Sequence, residues 1–212
     1  MHANLSGIFV RFCFVLALFF ISCNKEIDNE KDIMAAIRGQ WLFMSNSVIT
    51  ESVTTYTVDG VVFRNKVTAN YVTYNNEGNV TIVDGIMTGT DIRFDVIANS
   101  YFSFYVGNDN EEDSVEVPFT NYMDSAYTVQ RSFVIVRPDS VYFPQGTLMN
   151  IPDINGEERS SGNIPQGGTI RWFDNAMKIT TSSTDDYSFV EGGTTYQVIK
   201  KEQVEVNLSK LN

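Results

Sequence analysis

The side chains in this chain that could do chemistry are almost all carboxylates. Of its 212 residues, 26 are Asp or Glu and 15 are Lys or Arg. The only histidine is His2, and the only cysteines are Cys13 and Cys23. Arg11, the apolar run over residues 12–21 and then Ser22 fit a removable secretory leader spanning residues 1–22. His2 and Cys13 leave with that leader, so the mature chain has no imidazole and one thiol, Cys23, at its first position. All 26 acidic residues but only 14 of the 15 basic ones lie beyond residue 22, giving a formal charge of −12. Ser-His-Asp and Cys-His nucleophile systems are thereby closed, as are His- or Cys-ligated zinc and iron. No cofactor is expected. So acidic a chain has no footprint for a phosphate backbone, and nucleic acid is not an expected partner.

The carboxylates cluster twice. Asp109-Asn110-Glu111-Glu112-Asp113, followed by Glu116, is the densest group, and Asp153-Ile154-Asn155-Gly156-Glu157 sets oxygens at alternate positions around a turn glycine. Calcium needs six to eight oxygens, and neither group has EF-hand spacing. The first reads as a solvated hairpin tip in the 109–116 region, and no metal site is assigned to either. Acid–base hydrolysis of a glycoside would need two carboxyls within about 10 Å. No hydrolase motif accompanies them, and the expectation is a protein that is not an enzyme.

The elements that position these residues are nearly all strands. Residues 28–38 read as one short helix, with Asp28 or Asn29 as cap, Glu30 in the first turn, Ile33, Ala36 and Ile37 on one face, and Gly39 as the stop. Beyond it, runs rich in Val, Ile, Thr, Tyr and Phe alternate apolar with polar. Ile92, Phe94 and Val96 oppose Arg93 and Asp95, and Val204, Val206 and Leu208 oppose Glu205 and Asn207. Phe102, Phe104 and Val106 likewise oppose Tyr101, Ser103 and Tyr105. Turn signals at Asp59-Gly60, Glu77-Gly78-Asn79, Asp84-Gly85, Ala98-Asn99-Ser100, Asp174-Asn175 and Gly192-Gly193 separate these runs. Roughly ten to twelve strands result, arranged as a single all-β antiparallel domain over residues 29–212. Phe133-Val134-Ile135-Val136 is apolar on both faces and is expected to be central. Residues 144–168 form a long Pro- and Gly-rich loop bearing Leu148, Met149, Ile151, Ile154 and Ile164. It reads either as a cover over something apolar or as a surface insertion.

Three resemblances bear on identity. Phe20-Ile21-Ser22-Cys23 resembles the lipobox of bacterial lipoproteins. That resemblance implies cleavage before Cys23, a diacylglycerol thioether on its sulfur and a further acyl chain, such as palmitate, on its new amino group. Each buried methylene contributes roughly 0.8 kcal/mol, so two or more chains make a stable anchor. Residues 23–28 would then be a lipidated polar tether to the outer membrane. Lys25-Glu26 with Asp28 is similar to tethers that send some lipoproteins to the cell surface, although any exposed tether is polar. Second, a short helix followed by Gly39-Gln40-Trp41 and a strand resembles the start of a lipocalin-like barrel. The implied fold is an antiparallel meander barrel, with Gly39 turning the chain and the Trp41 indole plugging the narrow end. Thr184-Asp185-Asp186-Tyr187 is similar to that family's T-D-Y element, with one aspartate too many. The family's late arginine over the tryptophan is missing, and Lys200, Lys201 or Arg171 would have to supply the cation. Third, Asp113-Ser114-Val115, Asp124-Ser125-Ala126 and Asp139-Ser140-Val141 resemble a periplasmic O-glycosylation sequon. With 14 aspartates in the chain, chance predicts about one such match. Ser114, Ser125 and Ser140 are therefore candidate glycan carriers, with ordinary Asp-Ser turn chemistry as the competing reading.

The functional expectation is an outer-membrane-anchored lipoprotein whose barrel binds a small apolar or amphipathic ligand. The alternative is a non-catalytic surface module for a glycan or a protein, with Tyr101 and Tyr105 as a sugar-stacking strip.

Overall fold

The computed structural model describes residues 30–107, 113–121, 126–146, 164–173 and 175–211. Among the described residues one helix, α1 (Glu30–Ile37), precedes ten strands: β1 (Gly39–Val58), β2 (Val61–Val83), β3 (Ile86–Val106), β4 (Asp113–Asn121), β5 (Tyr127–Ser132), β6 (Val134–Arg137), β7 (Ser140–Phe143), β8 (Gln166–Phe173), β9 (Ala176–Glu191) and β10 (Thr194–Lys210). All ten belong to one sheet, ordered β4-β3-β2-β1-β10-β9-β8-β7-β6, with β5 also on β3. Every pairing is antiparallel. The fold is an all-β meander of the barrel kind, whose sheet does not close by hydrogen bonds. Closure at the base is by the chain instead. β5 lies against the start of β3, Phe133 N donates to Gly85 O at 2.8 Å, and the chain then bends into β6 to pair with β7.

Asp59-Gly60, Asp84-Gly85 and Gly192-Gly193 form the two-residue turns their sequences call for, each with positive φ at both residues. Three expectations fail. Ala98-Asn99-Ser100 is not a turn; it lies inside β3, where Ala98 and Ser100 face the interior and are buried. Glu77-Gly78-Asn79 is a bulged stretch within β2, shifting register against β3 on both sides of Glu77. A Cβ at Gly78 would meet the Asp91 backbone, so the glycine serves close strand approach. Phe133-Val134-Ile135-Val136 is not central. Phe133 and Ile135 are buried, but Val134 and Val136 are exposed, because β6 ends the sheet path.

The core fills the end of the barrel nearest α1. Phe43, Val80, Ile82, Phe94, Ile179 and Val206 are among its buried side chains. Trp41 sits at its base, 1% exposed. The indole Nε1 donates to Ile37 O at 2.9 Å, so the last turn of α1 and the first residues of β1 are tied across Gly39, whose φ is +134°. Lys210 Nζ stands 5.6 Å from the ring centroid. The cation over Trp41 is therefore Lys210, not Lys200, Lys201 or Arg171, because β1–β10 register pairs Trp41 directly with Lys210. Thr184-Asp185-Asp186-Tyr187 falls within β9 rather than ahead of the last two strands.

On the outer face, Glu51 bridges Lys66 at 3.1 Å and Lys201 at 3.6 Å, and Lys178 meets Glu205 at 2.7 Å. The Lys66 ammonium holds Glu51 below the usual carboxylate range, and Lys178 does the same for Glu205. Their contribution is present above the ordinary carboxylate range and fades as pH falls through the lowered values. It is small, since these groups are well solvated.

Trp41→Ala is expected to cost about 3–5 kcal/mol in urea denaturation, as a fully buried aromatic and its anchoring hydrogen bond are lost. Lys210→Met should cost under about 1 kcal/mol in the same assay. Comparable small losses for both would show that the indole is not the base of the core.

Candidate ligand-binding face

β1, β2, β3, β9 and β10 run on past the packed core, and the same alternation carries their inward face with them. Val48 pairs with Tyr71 and with Val204, which fixes that face at the top of the core. One step outward the row is Val117, Ser100, Ala69, Thr50, Glu202 and Ser183. The next is Val115, Phe102, Val67, Ser52, Lys200 and Asp185. After that come Phe104, Asn65, Thr54, Val198 and Tyr187. No second sheet covers these rows among the described residues, so this is a single layer continuing a barrel wall.

The floor of this face is polar and tied together. Thr181 Oγ1 donates to Gln166 Oε1 at 2.9 Å, and Gln166 Nε2 donates to Glu202 Oε1 at 2.9 Å, all three residues being buried. This links β8, β9 and β10. Gly168 lets β8 approach β9 here, since a Cβ would run into the Thr180 carbonyl oxygen. Deeper in, Asn46 is 0% exposed and its carboxamide has no hydrogen-bond partner among the described residues. Its backbone N and O are satisfied by Thr73 Oγ1 at 2.7 and 3.1 Å, where bulges on both sides of β1 interrupt the ladder.

Near the strand ends, five aromatic rings cross the sheet as a ladder. Phe63 lies 6.1 Å from Phe104, Tyr56 is 5.2 Å from Phe63, Tyr196 is 4.9 Å from Tyr56, and Phe189 is 4.9 Å from Tyr196. Tyr56 with Phe63, and Phe189 with Tyr196, are directly opposed pairs. Two of the contacts are nearly parallel stacks, with interplanar angles of 12° and 7°. Rings stacked on each other turn their edges, not their faces, to whatever lies above. Phe104 itself is exposed, and beside the ladder Phe102, Val106, Val115 and Val117 are exposed on the same face.

Strand alternation alone does not reveal this ladder, although a sequence signal for it exists. Tyr56 and Phe63 stand symmetrically about Asp59-Gly60, and Phe189 and Tyr196 about Gly192-Gly193. In a two-residue hairpin, symmetric positions are cross-strand neighbours. The expected sugar-stacking strip, Tyr101 and Tyr105, lies on the opposite, outer face. The Tyr101 hydroxyl donates to Glu116 at 3.2 Å, and that carboxylate raises the phenol's pKa. The Arg64 guanidinium covers the Tyr105 ring at 4.3 Å. Burial pushes the Tyr127 phenol, by contrast, far above its ordinary value, as it packs edge-on to Phe94 beside the core.

Of the other expected residues, Gly39 and Trp41 stand at the base of the core. Ser140 is half-buried and opens β7, opposite Thr169. Ser114 lies in β4, opposite Ser103. Cys23, Ser125, Asp109-Asn110-Glu111-Glu112 and Asp153-Ile154-Asn155-Gly156-Glu157 lie outside the described residues, as does most of the 144–168 loop. No group of three or more potential metal-ligating side chains occurs among the described residues. The chain matches no family model, and no curated protein or solved structure is significantly similar to it.

A double-mutant cycle on Tyr56→Leu and Tyr196→Leu should return a coupling of about 0.5–1.5 kcal/mol in thermal or urea unfolding. Additive losses would mean that the rings do not pack on one another.

Proposed function

We propose that this protein is an outer-membrane lipoprotein, anchored through acyl chains on Cys23, whose lipocalin-like β-barrel binds a small apolar or amphipathic molecule. It acts by binding, not catalysis. The observation that carries the binding half is the inner face beyond the core: an aromatic ladder and a set of exposed apolar side chains above a buried polar floor. Apolar surface with a few placed polar groups is the usual make-up of a small-molecule site. The lipobox supports the anchoring half.

The alternative, a surface module stacking a glycan on Tyr101 and Tyr105, has less support. One of these rings is covered by Arg64, and the other has its hydroxyl engaged by Glu116. The ladder is no substitute, because stacked rings leave few faces for a sugar.

Every described strand belongs to one sheet, and α1 packs into the same core, so residues 24–212 are the unit to test in solution. Native mass spectrometry of that unit, eluted under mild conditions, should show an adduct of about a few hundred daltons, the size such a site holds. The adduct should vanish on denaturation and extract into organic solvent. A Phe63→Ser/Tyr196→Ser variant that folds but retains the adduct undiminished would place the ligand elsewhere. For the anchor, Cys23→Ser in the full chain should abolish labelling by an alkyne palmitate analogue and release the protein from the membrane fraction. Unchanged labelling would remove the lipoprotein assignment.

A further inference from the structure

Polarity on the inner face beyond the core changes across the strands, not only along them. Over β3 and β4, Phe102, Phe104, Val106, Val115 and Val117 are apolar side chains exposed on this face. Beyond Val67 on β2, short hydrogen-bonding side chains take their place: Ser52 and Thr54 on β1, and Asn65 next to Val67 on the same face of β2. Asn65 is half-buried, and its Oδ1 has no hydrogen-bond partner among the described residues. Below them the Ser100 hydroxyl, 1% exposed, also has none.

The charges on this stretch are arranged to leave little for a charged ligand. Lys200 and Asp185 oppose each other in register across β10 and β9. Glu202 already accepts the Gln166 amide at 2.9 Å, so its carboxylate is committed to the floor. Taken together, Lys200, Asp185 and Glu202 carry one excess negative charge. A carboxylate or phosphate head placed over β1 would meet that excess on a partly desolvated surface, where repulsion is stronger than in water. A cationic head would find Glu202 committed to the floor and the Lys200 cation standing in register opposite Asp185. The capacity left unsatisfied is hydrogen bonding on neutral side chains, which hydroxyl groups answer as both donors and acceptors.

We infer that this face selects a single-chain amphiphile with an uncharged polyol head, its acyl tail lying over β3 and β4 and its head over Ser52, Thr54 and Asn65. The inference rests on the ligand-binding reading and names the ligand class. The tail packs against ring edges and valines. The head sits where short polar side chains leave room above β1, between Phe102 and Phe104 on one side and Lys200 on the other.

The test uses residues 24–212 and four probes below their micellar concentrations: 1-decanoylglycerol, decanoate, decyltrimethylammonium and maltohexaose. Binding is read by amide chemical-shift changes and by isothermal titration at pH 8. 1-Decanoylglycerol should shift amides in residues 52–56, 63–67 and 102–106, with a Kd at least about tenfold below those of the two charged probes. Thr54→Val, which keeps the β-branched shape and removes only the hydroxyl, should weaken 1-decanoylglycerol about fivefold or more and leave the charged probes unchanged. Glu202→Gln should improve decanoate selectively. Tightest binding by decanoate or decyltrimethylammonium, or equal loss for all probes in Thr54→Val, overturns the head-group assignment while leaving a ligand-binding face in place. Shifts from maltohexaose alone, or from none of the four, overturn the ligand-binding reading itself.

Discussion

β1 is hydrogen-bonded on both sides, to β2 and to β10, along almost its whole length, and its side-chain alternation passes through those two ladders to the rest of the sheet. A strand paired on both flanks cannot slip by one residue without turning every inward side chain outward. Trp41 at one end and Tyr56 at the other are therefore fixed by the same register. The bulges near residues 42–47 are the one place where it shifts, and they bring Asn46 inward, with Thr73 Oγ1 standing in for the missing ladder bonds. Phase is thus reset once, just above the base, and then held to the tips.

Two different means of holding strands together divide the molecule. Near α1 the wall curves round a packed interior, and burial of side chains such as Phe94, Ile82 and Ile179 supplies the stability. Farther out no interior is enclosed by the described residues, and cross-strand side chains take over. Stacked rings join β2, β1, β10 and β9 on the inner face, while the Lys66–Glu51–Lys201 bridge and Arg64 over Tyr105 join strands on the outer face. A single layer needs such ladders because it has no second sheet to bury against. Those same ladders leave an inner surface that is apolar over β3–β4 and polar over β1, and the ligand-binding reading draws its support from that division.

The buried Gln166–Glu202–Thr181 set stands at the boundary between these regimes. It closes the core with hydrogen bonds where apolar packing stops, and it ties β8 to β9 and β10 at the point where β8 begins. Above it the sheet is free to be wet on both sides. Asn46 sets a carboxamide with no partner among the described residues just below that boundary.

Strand content, the antiparallel arrangement, the three two-residue hairpins and the inward set Ile92, Phe94 and Val96 were legible because each rests on local chemistry: alternation with period two, or glycine beside Asp or another glycine in a turn. The Trp41 base was legible through Gly39. Local signals misled where a long strand simply continued. Small residues at Ala98-Asn99-Ser100 look like a turn, but β2 and β4 hold them extended on either side. Apolar residues on both sides of β6 look central, but the chain bends at Phe133 and leaves two valines outside. Which cation meets Trp41, which rings stack and which carboxylate is sealed into the floor all depend on partners far apart in the chain. The sequence determined the alternation and the turns. Only the register between strands decided which side chains those alternations would bring together, because register is a property of pairs of strands and is written in neither one alone.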